Sequence, residues 1–135
     1  METERRLVYT SLVPMRWGDM DAFGHVNNTV YFRYMEQARV ELLESLGYVL
    51  SADCAFVVVN AGCTFMIPFT YPGTVELKVY TGRTGRSSIP TTYEFRLHGD
   101  ERLFATGDAK MVWIDASTGK SVPIPDALRL VLDGA

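Results

Sequence analysis

The sequence predicts an α+β domain in which one long helix lies against an antiparallel sheet of about five strands. Three observations carry that prediction. Apolar residues between Thr29 and Leu46 recur at three- and four-residue steps, the period of an amphipathic helix. Several shorter runs alternate apolar with polar side chains, the period of a half-buried strand. Those runs are joined mostly by short turns rich in Gly, Pro and Asp, which suit antiparallel neighbours.

In chain order, Leu7 to Met15 reads as the first strand. Leu7, Tyr9 and Val13 alternate with Val8, Thr10 and Leu12, so both faces should be half covered. Pro14 has no amide donor and points to a sheet edge or a bend. In the helix, Tyr31, Tyr34, Met35, Ala38, Leu42 and Leu46 share one face, while Arg33, Glu36, Gln37, Glu41 and Glu44 lie mostly elsewhere. Asn27 or Asn28 can cap its N-terminus, and Gly47 is placed to end it. Ala55 to Asn60 is a valine-rich run that Cys63 to Pro68 continues, with a bulge expected at Ala61-Gly62. After the Tyr71-Pro72-Gly73 turn, Val75, Leu77 and Val79 alternate with Glu76, Lys78 and Tyr80. Gly82 to Ser88 leads to a strand in which Ile89, Thr91, Tyr93, Phe95 and Leu97 face one way. Gly99-Asp100 closes a hairpin into Arg102 to Ile114, Asp115 to Gly119 is a turn, and Pro125 to Leu132 reads as a short helix.

Size and composition set bounds. With 135 residues, 47% of them hydrophobic, the chain fits a single globular domain spanning 1–135. A formal net charge of −3 with scattered Lys and Arg argues against a nucleic-acid partner, because phosphate binding needs clustered cations. No apolar run approaches the roughly 20 residues of a membrane span, and Met1 to Arg6 contains no apolar signal core. A cytoplasmic location with no membrane partner is therefore expected. Cys54 and Cys63 flank one strand-like segment; nine extended residues at about 3.3 Å each would hold them too far apart for a disulfide.

Polar chemistry concentrates in one stretch, Arg16-Trp17-Gly18-Asp19-Met20-Asp21-Ala22-Phe23-Gly24-His25-Val26-Asn27-Asn28, which runs straight into the helix. A helix N-terminus offers unpaired N–H groups and roughly half a positive charge, suited to an anion or a developing oxyanion. A carboxylate beside such donors can serve as a general base on water or as a nucleophile. No Ser or Cys lies in the loop. Each residue also has a plainer reading: Asp19 and Asp21 as loop-formers, Asn27 and Asn28 as caps, His25 as a loop hydrogen-bonder, Arg83 and Arg86 as surface charge.

The pattern Asp19-x-Asp21-x-x-Gly24-His25-Val26-Asn27-Asn28-x-x-Tyr31, followed by Tyr34-Met35-Glu36 and Ala38-Arg39, closely resembles the 4-hydroxybenzoyl-CoA thioesterase family of hotdog-fold proteins. The likeness extends over nearly the whole chain, through Phe65-x-x-Pro68, Gly73-Thr74-Val75 and Gly85-Arg86-Ser87-Ser88. It implies a hotdog fold, a long central helix wrapped by a curved antiparallel sheet. It further implies homodimers with continuous sheets, often paired into homotetramers, with active sites at the dimer interface. The implied activity is hydrolysis of an acyl-CoA thioester without metal or organic cofactor. In the family pattern the catalytic carboxylate falls on Asp21, and the N–H that polarises the thioester carbonyl falls near Asn28. His25 matches a histidine of plant acyl-carrier-protein thioesterases, so His25 and Asn27 are expected to assist positioning. The Arg83, Arg86 and Ser87 loop lies where CoA contacts are expected, and Phe23, Tyr31, Phe65 and Phe69 are candidates for an acyl pocket. An acyl-carrier-protein thioester is the alternative substrate. The alternative function is a non-catalytic hotdog module that binds acyl-CoA or acylated carrier protein.

Overall fold

In a computed structural model, which describes residues 5–49 and 55–134, five strands form one antiparallel sheet. They are β1 (Arg6–Pro14), β2 (Ala55–Phe65), β3 (Thr74–Thr81), β4 (Ser88–Leu97) and β5 (Ala105–Ile114), in the order β1-β3-β4-β5-β2. Helix α1 (Asn28–Ser45) packs against β1, β3 and β2, and α2 (Asp126–Asp133) packs against β1. Because α1 touches both edge strands of a five-stranded sheet, the sheet must curl around it. This is the α+β arrangement that the periodicities predict.

The alternation works as expected in the central strands. Val75, Leu77 and Val79 of β3, and Ile89, Tyr93 and Phe95 of β4, are buried on the face toward the helix. On the other face Glu94 accepts hydrogen bonds from Arg5 (2.6 Å), Arg96 (2.8 Å) and Tyr80 (3.1 Å), so the solvent side is tied by a charged cluster. The helix comes close enough to β5 that a Cβ on Gly107 would lie 2.5 Å from the Met35 sulfur. Any larger residue there would require the buried Met35 side chain to shift.

Two local expectations are corrected and one irregularity is added. The bulge in β2 is not at Ala61-Gly62 but between Val58 and Asn60, where Val59 has no partner opposite it in β5. Asn60 to Phe65 then pair in unbroken register, so the glycine marks no irregularity; a run of valines carries no period from which to place an extra residue. A bulge that the alternation did not suggest interrupts β1 between Leu7 and Tyr9. Strand β5 begins at Ala105, not Arg102. The preceding residues form a longer turn in which Asp100 accepts from the Arg102 amide at 2.9 Å.

The helix ends as its residues dictate. Asn27 is the cap, its side-chain oxygen accepting from the Thr29 amide at 2.9 Å, a contact of about 1 kcal/mol. At the other end Gly47 adopts φ +87°, and the Gly47 and Tyr48 amides bond back to Glu44 and Leu43. Cys63 is half-buried and free, whereas Cys54 lies outside the described residues. No described helix is long and apolar enough to cross a membrane.

Candidate active site

The loop between β1 and α1 is built on Asp19. This carboxylate is buried, accepts the Arg16 amide at 2.9 Å and the Tyr34 hydroxyl at 2.8 Å, and lies 3.4 Å from the exposed Arg16 guanidinium. Its main-chain carbonyl accepts the Asn27 amide at 3.0 Å, which fixes where the helix begins. Burial, then the hydrogen bond to Asp19, raises the Tyr34 hydroxyl pKa well above the usual tyrosine range, so it remains a donor. Asp19 is therefore a structural hub.

Asp21 stands differently. Its amide donates to the His25 carbonyl (2.9 Å) and its carbonyl accepts from Gly24 (3.0 Å), closing a tight turn in which Gly24 takes φ +80°. One carboxylate oxygen accepts the Phe23 amide at 2.9 Å. The other has no hydrogen-bond partner among the described residues, and the side chain is only half-buried. The helix start beside it is arranged in the same spirit. Asn27 takes up the Thr29 N–H and hydroxyl, while the Asn28 N–H lies outside the helical ladder and has no partner among the described residues.

These groups line a cavity of about 340 Å³. Asp21, His25 and Asn28 form its polar side; Phe23, Tyr31, Phe65, Met66, Ile67 and Pro68 form its apolar side. Tyr31 is buried and makes an edge contact with Phe65 at 4.7 Å between ring centroids, and burial raises its hydroxyl pKa. Asp21 also lines a second, neighbouring cavity of about 650 Å³ whose walls include Trp17, Met20 and Tyr71. The carboxylate thus sits between two hollows.

The structure brings together Asp21, His25, Asn28, Phe23, Tyr31 and Phe65 from the sequence-derived set. Asn27 is adjacent, but its amide oxygen is engaged as the cap. Phe69 does not line the cavity; it is buried and stacked on Phe104 at 4.7 Å. Arg83, Arg86 and Ser87 lie at the other end of the sheet within one chain. Arg6 of β1 pairs with Thr81 just before that loop, whereas Pro14 at the far end leads into the Asp21 loop, roughly 25 Å away. There the Arg86 and Ser87 carbonyls accept the Ile124 and Trp113 amides, and Arg129 of α2 donates to the Thr84 hydroxyl and the Gly85 and Arg86 carbonyls. Sequence reasoning did not pick out Trp17, Tyr71, Met66 and Ile67. The signal available for Trp17 was a large aromatic in a polar loop; it is 77% exposed.

Comparison with known proteins bears on the family. The pattern of the thioesterase-like superfamily matches residues 15–132. The structure of the PA2801 protein from Pseudomonas aeruginosa superposes with a TM-score of 0.88 at 39% identity, covering 92% of this chain and 97% of that one. The long-chain acyl-CoA thioesterase FadM of Escherichia coli is 28% identical over 128 residues, 90% of this chain and 94% of its own. A 1,4-dihydroxy-2-naphthoyl-CoA hydrolase of Prochlorococcus marinus is 25% identical over 130 residues, 87% of this chain and 85% of its own.

Proposed function

The chain belongs to the thioesterase-like superfamily, with the hotdog fold, and on that premise we propose that it hydrolyses acyl-CoA thioesters with Asp21 as the catalytic carboxylate. One observation carries the reading: Asp21, with a carboxylate oxygen that has no partner among the described residues, lines the same cavity as Asn28, whose helix N-terminal N–H is also unpartnered among them. The Asn28 N–H donates to the thioester carbonyl oxygen and stabilises the oxyanion when the carbonyl carbon becomes tetrahedral. The free Asp21 oxygen takes a proton from an attacking water, or attacks the carbonyl carbon itself to give an anhydride that water then cleaves. In either course the C–S bond breaks, CoA leaves as its thiolate and the acyl group leaves as a carboxylate. His25 and Tyr31 position the substrate. A thioester has two arms, and Asp21 has a cavity on each side. The apolar hollow by Phe65 suits the acyl group, and the Trp17–Tyr71 hollow suits the thiol arm.

The whole of 1–135 acts as one domain in this reading, and the enzyme works as a homodimer or homotetramer. Strand β2 is an edge with Val57, Val58 and Val59 exposed, which supports pairing with β2 of a second copy. Antiparallel pairing would set the Ala55 end of one copy beside the Phe65 end of the other. Because Phe56 pairs with Trp113 and Val112 with Ser88, the Arg83–Ser87 loop of the second copy would then approach this Asp21. That geometry gives Arg83, Arg86 and Ser87 a route to the CoA phosphates which one chain alone does not offer.

The test is turnover of a panel of acyl-CoAs by Asp21→Asn. The substitution keeps an oxygen for the Phe23 amide, so the fold should hold while kcat falls about 10²–10⁴-fold. Retention of most of the wild-type kcat removes Asp21 from the mechanism. Tight binding of acyl-CoA by the wild type without hydrolysis would favour the non-catalytic module.

A further inference from the structure

Asp21 is carried by a turn that the core holds at its two ends but not at its tip. Met20 and Val26 bridge the ends, and the Val26 amide donates to the Phe69 carbonyl at 3.0 Å. Between them Ala22, Phe23, Gly24 and His25 are all exposed, and a Cβ on Gly24 would meet nothing within 4 Å. Hydrogen bonds inside the turn therefore set its shape. The Asp21 amide donates to the His25 carbonyl, the Gly24 amide to the Asp21 carbonyl, and the Phe23 amide to Asp21 Oδ1 at 2.9 Å. The last is the only hydrogen bond that the Asp21 side chain makes among the described residues, so the Phe23 peptide alone fixes how the carboxylate is turned.

Phe23 also carries the most exposed large apolar side chain among the described residues. Its ring is 86% exposed and lines the acyl hollow, whereas Tyr31, 3% exposed, forms part of the floor. Apolar area left in water at the rim of an apolar hollow is area that an apolar occupant covers. We propose that Phe23 is a positioning residue: its ring packs on the acyl group, and its N–H, steadied in this way, holds Asp21 with the other carboxylate oxygen aimed at the reaction. The inference rests on the thioesterase reading and adds to it a route by which acyl contacts raise kcat. Contacts remote from the reacting bond do so when they restrict orientation, and a misplacement of about 1 Å costs about a hundredfold. An acetyl group offers the hollow a single methyl and leaves the turn to its own bonds. A longer chain clamps it through the ring.

The experiment uses the full chain and two variants, Phe23→Ala, which keeps the N–H and removes the ring, and Phe23→Leu, which keeps an apolar side chain. One arm measures kcat and KM for straight-chain acyl-CoAs from acetyl to dodecanoyl. In the wild type kcat should rise at least tenfold with chain length. In Phe23→Ala that rise should fall below threefold, with KM changing less than kcat, and Phe23→Leu should restore it to at least fivefold. The second arm needs no turnover. Oxoalkyl-CoA thioethers of the same lengths keep the carbonyl without a scissile bond, and exchange of the Phe23 amide proton with water is followed by NMR on isotope-labelled protein. The best-fitting long analogue should slow that exchange at least tenfold relative to the acetyl analogue. If no thioester is hydrolysed but exchange slows with length, the thioesterase reading fails and the coupling stands. If hydrolysis proceeds with kcat flat across lengths, the coupling fails and the reading stands. Exchange that ignores chain length overturns the proposal in either case. So does a Phe23→Ala effect that is confined to KM, equal at every length, or confined to the dimer dissociation constant.

Discussion

Replacing Asp19 by alanine should damage stability more than any other single change in the loop between β1 and α1. The side chain accepts two hydrogen bonds, from the Arg16 amide at 2.9 Å and the Tyr34 hydroxyl at 2.8 Å, and it is 5% exposed. Hydrogen bonds to a charged group contribute about 1.5–3 kcal/mol each. The Arg16 guanidinium, 79% exposed, adds at most about 1 kcal/mol. Loss of all three, with the Tyr34 hydroxyl left unpaired in the core, amounts to about 3–5 kcal/mol. Unfolding entropy of about 2.1 cal/mol/K per residue makes each kcal/mol worth roughly 3.5 °C here, so the melting temperature should drop by roughly 10–18 °C. The assay is thermal and urea unfolding at fixed protein concentration of Asp19→Ala, Tyr34→Phe and the double variant. The cycle should return a coupling of about 1.5–3 kcal/mol, because Tyr34→Phe removes the orphaned donor. A melting shift under about 3 °C, or additive single variants, would refute the hub argument.

Three further outcomes are expected. Burial pushes the Glu94 carboxyl up, but the hydrogen bonds from Arg96, Arg5 and Tyr80 outweigh it and bring the pKa from 4.5 down to about 2. A lowered folded-state pKa stabilises above the unfolded value and is lost as pH falls through about 2. Glu94→Gln should therefore cost at most about 3 kcal/mol at pH 7 and almost nothing near pH 2, measured by urea midpoints. Burial, then the charge of Asp108, pushes the Cys63 thiol up to about 11, so in a Cys54→Ser background its alkylation at pH 8 should run roughly a hundredfold slower than that of a free thiol. Asn27→Ala removes the cap and should cost about 1 kcal/mol in thermal unfolding, with kcat falling more than KM rises because the Asn28 donor loses its fixed direction. Unchanged kcat would separate capping from catalysis.

The sequence exposed the architecture because each element carries its own period. The α1 stripe, the β3 and β4 alternation, the Asn27 cap and the Gly47 stop all depend on near neighbours. Features set by distant partners were not legible. Val59 is the bulged residue because of where β5 runs, and nothing in Val57-Val58-Val59 marks it. By residue type alone Asp19 and Asp21 look alike, and in the sequence only the family pattern singles out Asp21; in the structure burial and the bonds from the Arg16 amide and the Tyr34 hydroxyl mark Asp19. Arg39 could have been noticed, since it sits between Met35 and Leu42 on the apolar stripe, where a charge is anomalous. What it meets there, Tyr93, is 54 residues away in the chain.

The edge strand β2 has a thermodynamic consequence. It spans 11 residues, contains neither proline nor lysine, and turns three valines toward solvent, so apart from the bulge at Val59 it lacks the usual devices that keep an edge from pairing. With a second copy seated there, folding and association become one equilibrium and the protein obeys mass action. Each tenfold dilution would then remove about 1.4 kcal/mol from the assembled state. Melting temperature would become a property of the sample as much as of the chain, and a newly made copy would be most vulnerable to clumping before it meets another.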